Sequence, residues 1–93
     1  MSEKLRVHII VEGRVQGAFF RQATLNKAKE IRVFGFVRNL PDGKVEAVFE
    51  GRRDGVEKIA EWMKDGPKYA KVDEYKINFE EFKGEFSNFN ILY

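Results

Sequence analysis

The residues between positions 13 and 21 have types and a spacing suited to binding an anion. Gly13 and Gly17 bracket a short loop, and a helix is predicted to begin just beyond it. A glycine-containing loop that leads into a helix presents several backbone N–H groups at one point, where the helix dipole adds partial positive charge. Such a concavity suits a phosphoryl group. Arg21, in the first helical turn, offers a planar guanidinium that matches two phosphate oxygens at once.

These residues also have a purely structural interpretation. Gly13 and Gly17 are typical of a tight turn, and Arg21 is then a solvated side chain at the start of a helix. However, arginine is mildly disfavoured at the positive end of a helix, and no acidic residue follows closely enough in the sequence to pair with it. An anion bound at the loop would explain the arginine.

Composition excludes several other kinds of chemistry. The chain has 93 residues, no cysteine and one histidine, His8. It therefore lacks disulfides, thiolate metal sites and a cysteine nucleophile, and two-histidine metal motifs are excluded. Neither Ser2 nor Ser87 has the sequence context of a nucleophilic serine. The net charge of +2 is spread along the chain, and no apolar run approaches the ~20 residues of a membrane helix. We expect one cytoplasmic domain over residues 1–93, without metal, cofactor or membrane contact.

The first half of the chain predicts a strand, a helix and a hairpin. Apolar residues alternate over 5–12, as in a strand with one buried face. A stripe at helical spacing follows, formed by Phe20, Thr24, Ala28 and Ile31. The segment 33–38 is aromatic and β-branched, Leu-Pro-Asp-Gly at 40–43 predicts a turn, and alternation resumes over 45–50.

The second half predicts a helix and two strands. Asp54 is the expected N-cap, with Glu57 three residues on. The helical stripe that follows consists of Val56, Ile59, Ala60 and Met63, and Gly66-Pro67 ends it. Strands are predicted over 72–79 and 89–93. The order β-α-β-β-α-β plus an end strand predicts an α+β, ferredoxin-like split β-α-β fold, with two helices on one face of an antiparallel sheet.

Two blocks of the sequence resemble the signatures of the acylphosphatase family. The first is Gly13-Arg14-Val15-Gln16-Gly17-Ala18-Phe19-Phe20-Arg21, followed by Thr24 and Ala28. The second is Gly35-Phe36-Val37-Arg38-Asn39, followed by Asp42-Gly43 and Val45-Glu46, and a C-terminal Phe89-x-Ile91-x-Tyr93 also fits. The departures are Ala18 where valine is frequent, Leu92 where a basic residue is frequent, and Arg32 where a glycine commonly follows the first helix. Arg32 makes a positive φ there costly.

The resemblance implies an enzyme that hydrolyses acyl phosphates to a carboxylate and inorganic phosphate, without metal or cofactor. It assigns phosphate binding to Arg21 and water positioning to Asn39. An amide suits this role because it donates one hydrogen bond and accepts another, although Asn39 can also simply begin the turn. The phosphate-binding loop comprises Gly13, Arg14, Val15, Gln16, Gly17, Ala18, Phe19 and Phe20. The expected partners are a small acyl phosphate and inorganic phosphate, the product and a competitive inhibitor, bound by a monomer.

A nucleic-acid-binding module is the alternative. The segment from Arg32 to Val37 comes close to the aromatic element of RNA-recognition motifs, which share the βαββαβ order and stack bases on sheet aromatics. Phe34 and Phe36 would be the stacking residues. That element belongs on the third strand, however, whereas this segment predicts the second, and Val33 replaces a glycine. We therefore expect no nucleic-acid partner.

Overall fold

A computed structural model describes residues 3–93 as a five-stranded sheet with two helices on one face. The elements are β1 Lys4–Arg14, α1 Phe20–Ile31, β2 Phe34–Asn39, β3 Val45–Arg52, α2 Arg53–Met63, β4 Lys71–Glu80 and β5 Phe89–Leu92. The spatial order of the strands is β4-β1-β3-β2-β5. This confirms the predicted ferredoxin-like α+β fold.

The sheet is mixed rather than wholly antiparallel. The pairs β1–β3, β1–β4 and β2–β3 are antiparallel, as predicted. The pair β2–β5 is parallel, with Val37 opposite Ile91. Because β4 and β5 lie at opposite edges, the segment 81–88 must cross one face of the sheet, and the chain then enters β5 in the same direction as β2.

The helices cover the face of the sheet that carries the alternating apolar residues. Helix α1 packs on β2 and β5, and α2 packs on β1 and β3. Their predicted stripes are buried, except that Ile31 is only half-buried. The core between the layers includes Val7, Ile9, Val11, Phe20, Ala28, Val37, Val45, Phe49, Val56, Ile59 and Met63. Alternation in strands and helical spacing therefore indicated the core correctly.

The predicted start of α2 is wrong. The helix begins at Arg53 with Arg52 as an extended N-cap, no side chain caps it, and Asp54 lies in the first turn. The reason is that β3 continues directly into the helix. The Arg53 N–H donates to the carbonyl of Glu3 at 2.8 Å, so the chain enters the helix before Asp54 can take the capping position.

The segment 81–88, here called the crossing segment, is anchored on a buried carboxylate. Glu50, in β3, is 2% exposed and accepts hydrogen bonds from the backbone N–H groups of Lys83 at 2.9 Å, Gly84 at 3.1 Å and Glu85 at 2.9 Å. Arg6 adds an ion pair at 3.1 Å. Burial disfavours the charged carboxylate, but these donors outweigh it and lower the pKa of Glu50.

Substitution Glu50→Gln should destabilise the protein by about 2 kcal/mol at neutral pH, because an amide accepts fewer of these hydrogen bonds. A carboxylate with a lowered folded pKa stabilises fully above its ordinary value of 4.5 and loses this contribution as the pH falls through the folded value. The difference between the two proteins should therefore shrink in acid. Urea unfolding between neutral pH and strong acid measures it, with the exposed Glu81→Gln as control. A difference independent of pH would contradict the assignment.

Candidate active site

The first two residues of the predicted phosphate-binding loop lie within β1. Gly13 and Arg14 still belong to β1 and pair with Val72 and Lys71 of β4, after a β-bulge at Glu12 and Gly13. A Cβ on Gly13 would lie 2.3 Å from the carbonyl oxygen of Lys71. The close approach of β4 therefore requires a glycine at position 13, which is a structural reason different from the tight turn expected from the sequence.

The connection from Val15 to Phe19 turns through two left-handed residues. Gly17 has φ 75°, and Phe19, the N-cap of α1, has φ 57° and ψ 23°. A bulky residue in this region is unusual and costs on the order of 1 kcal/mol or more. Phe19 is also 79% exposed, whereas Val15 is fully buried and anchors the start of the loop.

The first backbone amides of α1 have no hydrogen-bond acceptor within the described residues. Among residues 3–93, none accepts a hydrogen bond from the backbone N–H groups of residues 19–22, no side chain caps α1, and its first turn holds no acidic residue. Consecutive amides at a turn and a helix N-terminus carry partial positive charge. This end of the helix therefore suits an anion from solution.

Arg21 lies beside these amides without a carboxylate partner in the part of the chain that the structure describes. Its guanidinium carbon lies 5.0 Å from the centroid of the Tyr93 ring. Contact with an aromatic face restricts a guanidinium while leaving its N–H groups available. The half-buried arginine thus combines a full positive charge with unused hydrogen-bond donors.

Asn39 is the last residue of β2 and pairs with Val45 on the helix-covered face of the sheet. The turn after it closes without its side chain: the N–H of Leu40 donates to the carbonyl of Lys44 at 2.8 Å, and that of Gly43 donates to the carbonyl of Leu40 at 3.1 Å. Within residues 3–93 no group hydrogen-bonds to the Asn39 carboxamide. The amide is therefore available to a ligand.

One open pocket of about 270 Å³ brings the arginine, the asparagine and the loop together. Its lining consists of Val15, Gly17, Phe19, Phe20, Arg21, Gln22, Asn39, Ile91 and Tyr93. No Asp, Glu or His is among these residues, so the pocket is cationic and has no side chain that would act as a general base at neutral pH. Four residues of the predicted loop lie outside this lining, namely Gly13, Arg14, Gln16 and Ala18.

The sequence interpretation missed three residues of the pocket. Gln22 lies one position beyond Arg21, while Ile91 and Tyr93 reach the site because β5 lies beside β2. The alternating C-terminal residues predicted a strand, but nothing local to them showed which strand would be its neighbour. The pairing of β5 with β2 is what places them at the pocket.

The opposite face of the sheet carries ion pairs. His8 is half-buried, and its Nε2 lies 2.7 Å from Oε2 of Glu46. Arg38 pairs with the other oxygen of Glu46 at 2.6 Å. Burial opposes ionisation of Glu46, but the hydrogen bonds from His8 and Arg38 lower its pKa. Within the described residues, no group of three or more His, Asp or Glu is arranged to hold a metal ion.

Phe34 and Phe36 lie on that same face, and the crossing segment covers part of it. The Phe36 ring is half-buried and packs edge-on against Phe86, with centroids 5.9 Å apart. Phe34 is 43% exposed. A base therefore does not find a pair of open rings here, and we find no support for the RNA-binding alternative.

Neither helix in residues 3–93 is long and apolar enough to span a membrane. Taken together, the fold and the site consist of a ferredoxin-like α+β frame with a cationic, amide-rich pocket where α1, β2 and β5 meet.

Comparison with known proteins agrees with this frame. A sequence model of the acylphosphatase family matches residues 7–91. The acylphosphatase of Pyrobaculum islandicum is 50% identical over 91 residues, which are 97% of this chain and 96% of that protein. The acylphosphatase structure from Bacillus subtilis superposes with a TM-score of 0.90 at 32% identity and covers 96% of this chain and 99% of its own. That from Coxiella burnetii gives a TM-score of 0.89 at 34% identity, with 97% and 94% covered.

The chain belongs to the acylphosphatase family. It is a hydrolase that cleaves the carboxyl–phosphate bond of acyl phosphates.

Proposed function

We propose that the phosphoryl group of the substrate binds between the backbone amides at the start of α1 and the guanidinium of Arg21, with the attacking water held by Asn39. The observation that carries this proposal is the shared pocket, in which a cation, unused amides and an unused carboxamide line one cavity. Of the predicted loop, residues 13–20, four residues line the pocket: Val15, Gly17, Phe19 and Phe20. Arg21 contributes the charge that a phosphoryl dianion requires.

Hydrolysis of an acyl phosphate requires little chemical participation from the protein side chains. The water oxygen forms a bond to phosphorus while the bond from phosphorus to the acyl oxygen breaks, and the carboxylate leaves with that electron pair. Phosphoryl transfer of this kind depends mainly on positioning and charge stabilisation. Because the pocket offers no Asp, Glu or His, the proton of the water passes to an oxygen of the transferred phosphoryl group.

The proposal predicts hydrolysis without a metal ion. Purified protein in excess chelator should release equal amounts of benzoate and inorganic phosphate from benzoyl phosphate, because the cationic pocket supplies the charge that a metal ion would otherwise supply. Inorganic phosphate should inhibit competitively, since it occupies the same amides. Phosphate release measured by colorimetry tests this, with added Mg²⁺ as a comparison. Activity that appears only with the metal would contradict the mechanism.

Two further expectations belong to this proposal. The pocket is built from one copy of the chain, so we infer that a monomer is sufficient for activity. The cytoplasm is the proposed compartment.

A further inference from the structure

Gln16 is a residue of the loop that does not line the pocket, yet its side chain connects the loop to the element carrying Asn39. Its Nε2 atom donates to the carbonyl of Leu40 at 2.8 Å and to the carbonyl of Lys44 at 2.9 Å. Both acceptors are carbonyls, and the carboxamide nitrogen carries two N–H groups. One side chain therefore uses both donors on the two ends of the turn after β2.

We propose that Gln16 is a positioning residue that holds the phosphate-binding loop in register with Asn39. This inference rests on the proposed function, because it concerns the distance between the two parts of that site. The two parts lie on different elements: the loop follows β1, and Asn39 ends β2. Gln16 lies between the buried Val15 and the pocket residue Gly17, and its acceptor Leu40 directly follows Asn39.

The hydrogen bonds of Gln16 are additional to those that form the turn. The carbonyl of Lys44 already accepts from the N–H of Leu40, and the carbonyl of Leu40 already accepts from the N–H of Gly43. Gln16 uses the second lone pair of each oxygen. Loss of its side chain leaves both carbonyls hydrogen-bonded, so the turn still closes. What is lost is the connection between the turn and the loop.

A second and weaker interaction connects β1 to the same turn. Nζ of Lys44 lies 3.5 Å from Oε1 of Glu12, and both side chains are more than a third exposed. Exposed ion pairs of this kind restrain little. Gln16 is only partly exposed and acts through short, direct hydrogen bonds, so it is the stronger restraint. The pair Glu12–Lys44 therefore provides a matched control.

The test compares Gln16→Met with Lys44→Ala. Methionine keeps the length and flexibility of glutamine but has no N–H donor. Gln16→Met should lower kcat for benzoyl phosphate by about tenfold, since small displacements of a positioning group are costly in rate. The inhibition constant of inorganic phosphate should change little, because the loop amides and Arg21 remain. Lys44→Ala should leave both constants close to those of the unmodified protein.

A readout besides activity separates positioning from general destabilisation. The side-chain amide signals of Asn39, observed by NMR during a titration with inorganic phosphate, should shift in the unmodified protein and in Lys44→Ala. In Gln16→Met the loop amides should still shift while the Asn39 signals respond weakly. Unfolding in urea confirms that each variant is folded at the assay temperature.

The outcomes distinguish failure of the proposed function from failure of the inference about Gln16. If the unmodified protein does not hydrolyse benzoyl phosphate, the proposed function fails. If it does, but folded Gln16→Met retains the kcat and the Asn39 response of Lys44→Ala, the inference about Gln16 alone is overturned. An equal loss of phosphate affinity and kcat would also overturn it, because Gln16 would then shape the phosphate site itself.

Discussion

Replacing Arg21 by lysine should lower kcat/KM for benzoyl phosphate by roughly a thousandfold, the scale on which a guanidinium assists phosphoryl transfer. Lysine keeps the charge but presents a point charge on a flexible stem, whereas the guanidinium presents a planar fork to two phosphate oxygens. The ring of Tyr93 against Arg21 also favours the planar group. The affinity for inorganic phosphate should fall together with the rate.

Steady-state kinetics and phosphate inhibition measure both effects. Arg52→Lys is the matched control, because Arg52 is 78% exposed, pairs with Asp54 at 3.4 Å and lies outside the lining of the pocket. It should behave as the unmodified protein does. An Arg21→Lys variant with unchanged phosphate inhibition would show that the phosphoryl group binds elsewhere.

Local patterns were sufficient to predict most of the elements and their buried faces. The alternation in β1 and the stripe from Phe20 to Ala28 each depend only on residues that are close in sequence. The structure buries the apolar residues of both patterns. The loop and Arg21 could likewise be named from local signals, whereas Asn39 was named through the resemblance to the acylphosphatase family. That one pocket holds both side chains is a fact of three-dimensional structure, which their sequence separation does not reveal.

Features that depend on distant segments were missed. Glu50 alternates with apolar residues in β3, so the sequence places it on the open face, and only the crossing segment buries it. The partners of His8 and Gln16 lie on strands or turns far along the chain for the same reason. Long-range pairing decides such contacts, and a single sequence holds no local signal for it.

Arg32 shows a different limit of prediction from the sequence, one that concerns backbone conformation. Its replacement of a glycine made a left-handed conformation costly, yet the structure places Arg32 at φ 70° as the C-cap of α1. Its N–H donates to the carbonyl of Ala28 at 2.8 Å, and the N–H of Val33 donates to the same oxygen at 3.0 Å. These bonds close the end of the helix and offset a strain of about 1 kcal/mol. Local preference was overridden by the hydrogen bonds that end the helix.

Asn39→Ala should fold normally and lose about 3 kcal/mol of transition-state stabilisation, which is roughly a hundredfold in kcat. Normal folding is expected because the turn after β2 closes through backbone hydrogen bonds and the Asn39 carboxamide has no partner among the described residues. The loss is expected because the attacking water, without this hydrogen-bond partner, is no longer held in the orientation that the reaction requires. Affinity for inorganic phosphate should be largely retained, since the amides and Arg21 hold that group.

Asn39→Asp provides the sharper version of this test. Aspartate has the same shape, but its carboxylate cannot donate to the phosphoryl group and repels its negative charge. Its kcat should therefore fall at least as far as that of the alanine variant, and its phosphate affinity should fall further. Asn78→Ala, an exposed asparagine in β4 away from the pocket, is the control for loss of a carboxamide. If the alanine variant turned over at nearly the normal rate, another group would have to position the water, and Gln22 carries the other side-chain amide in the pocket lining.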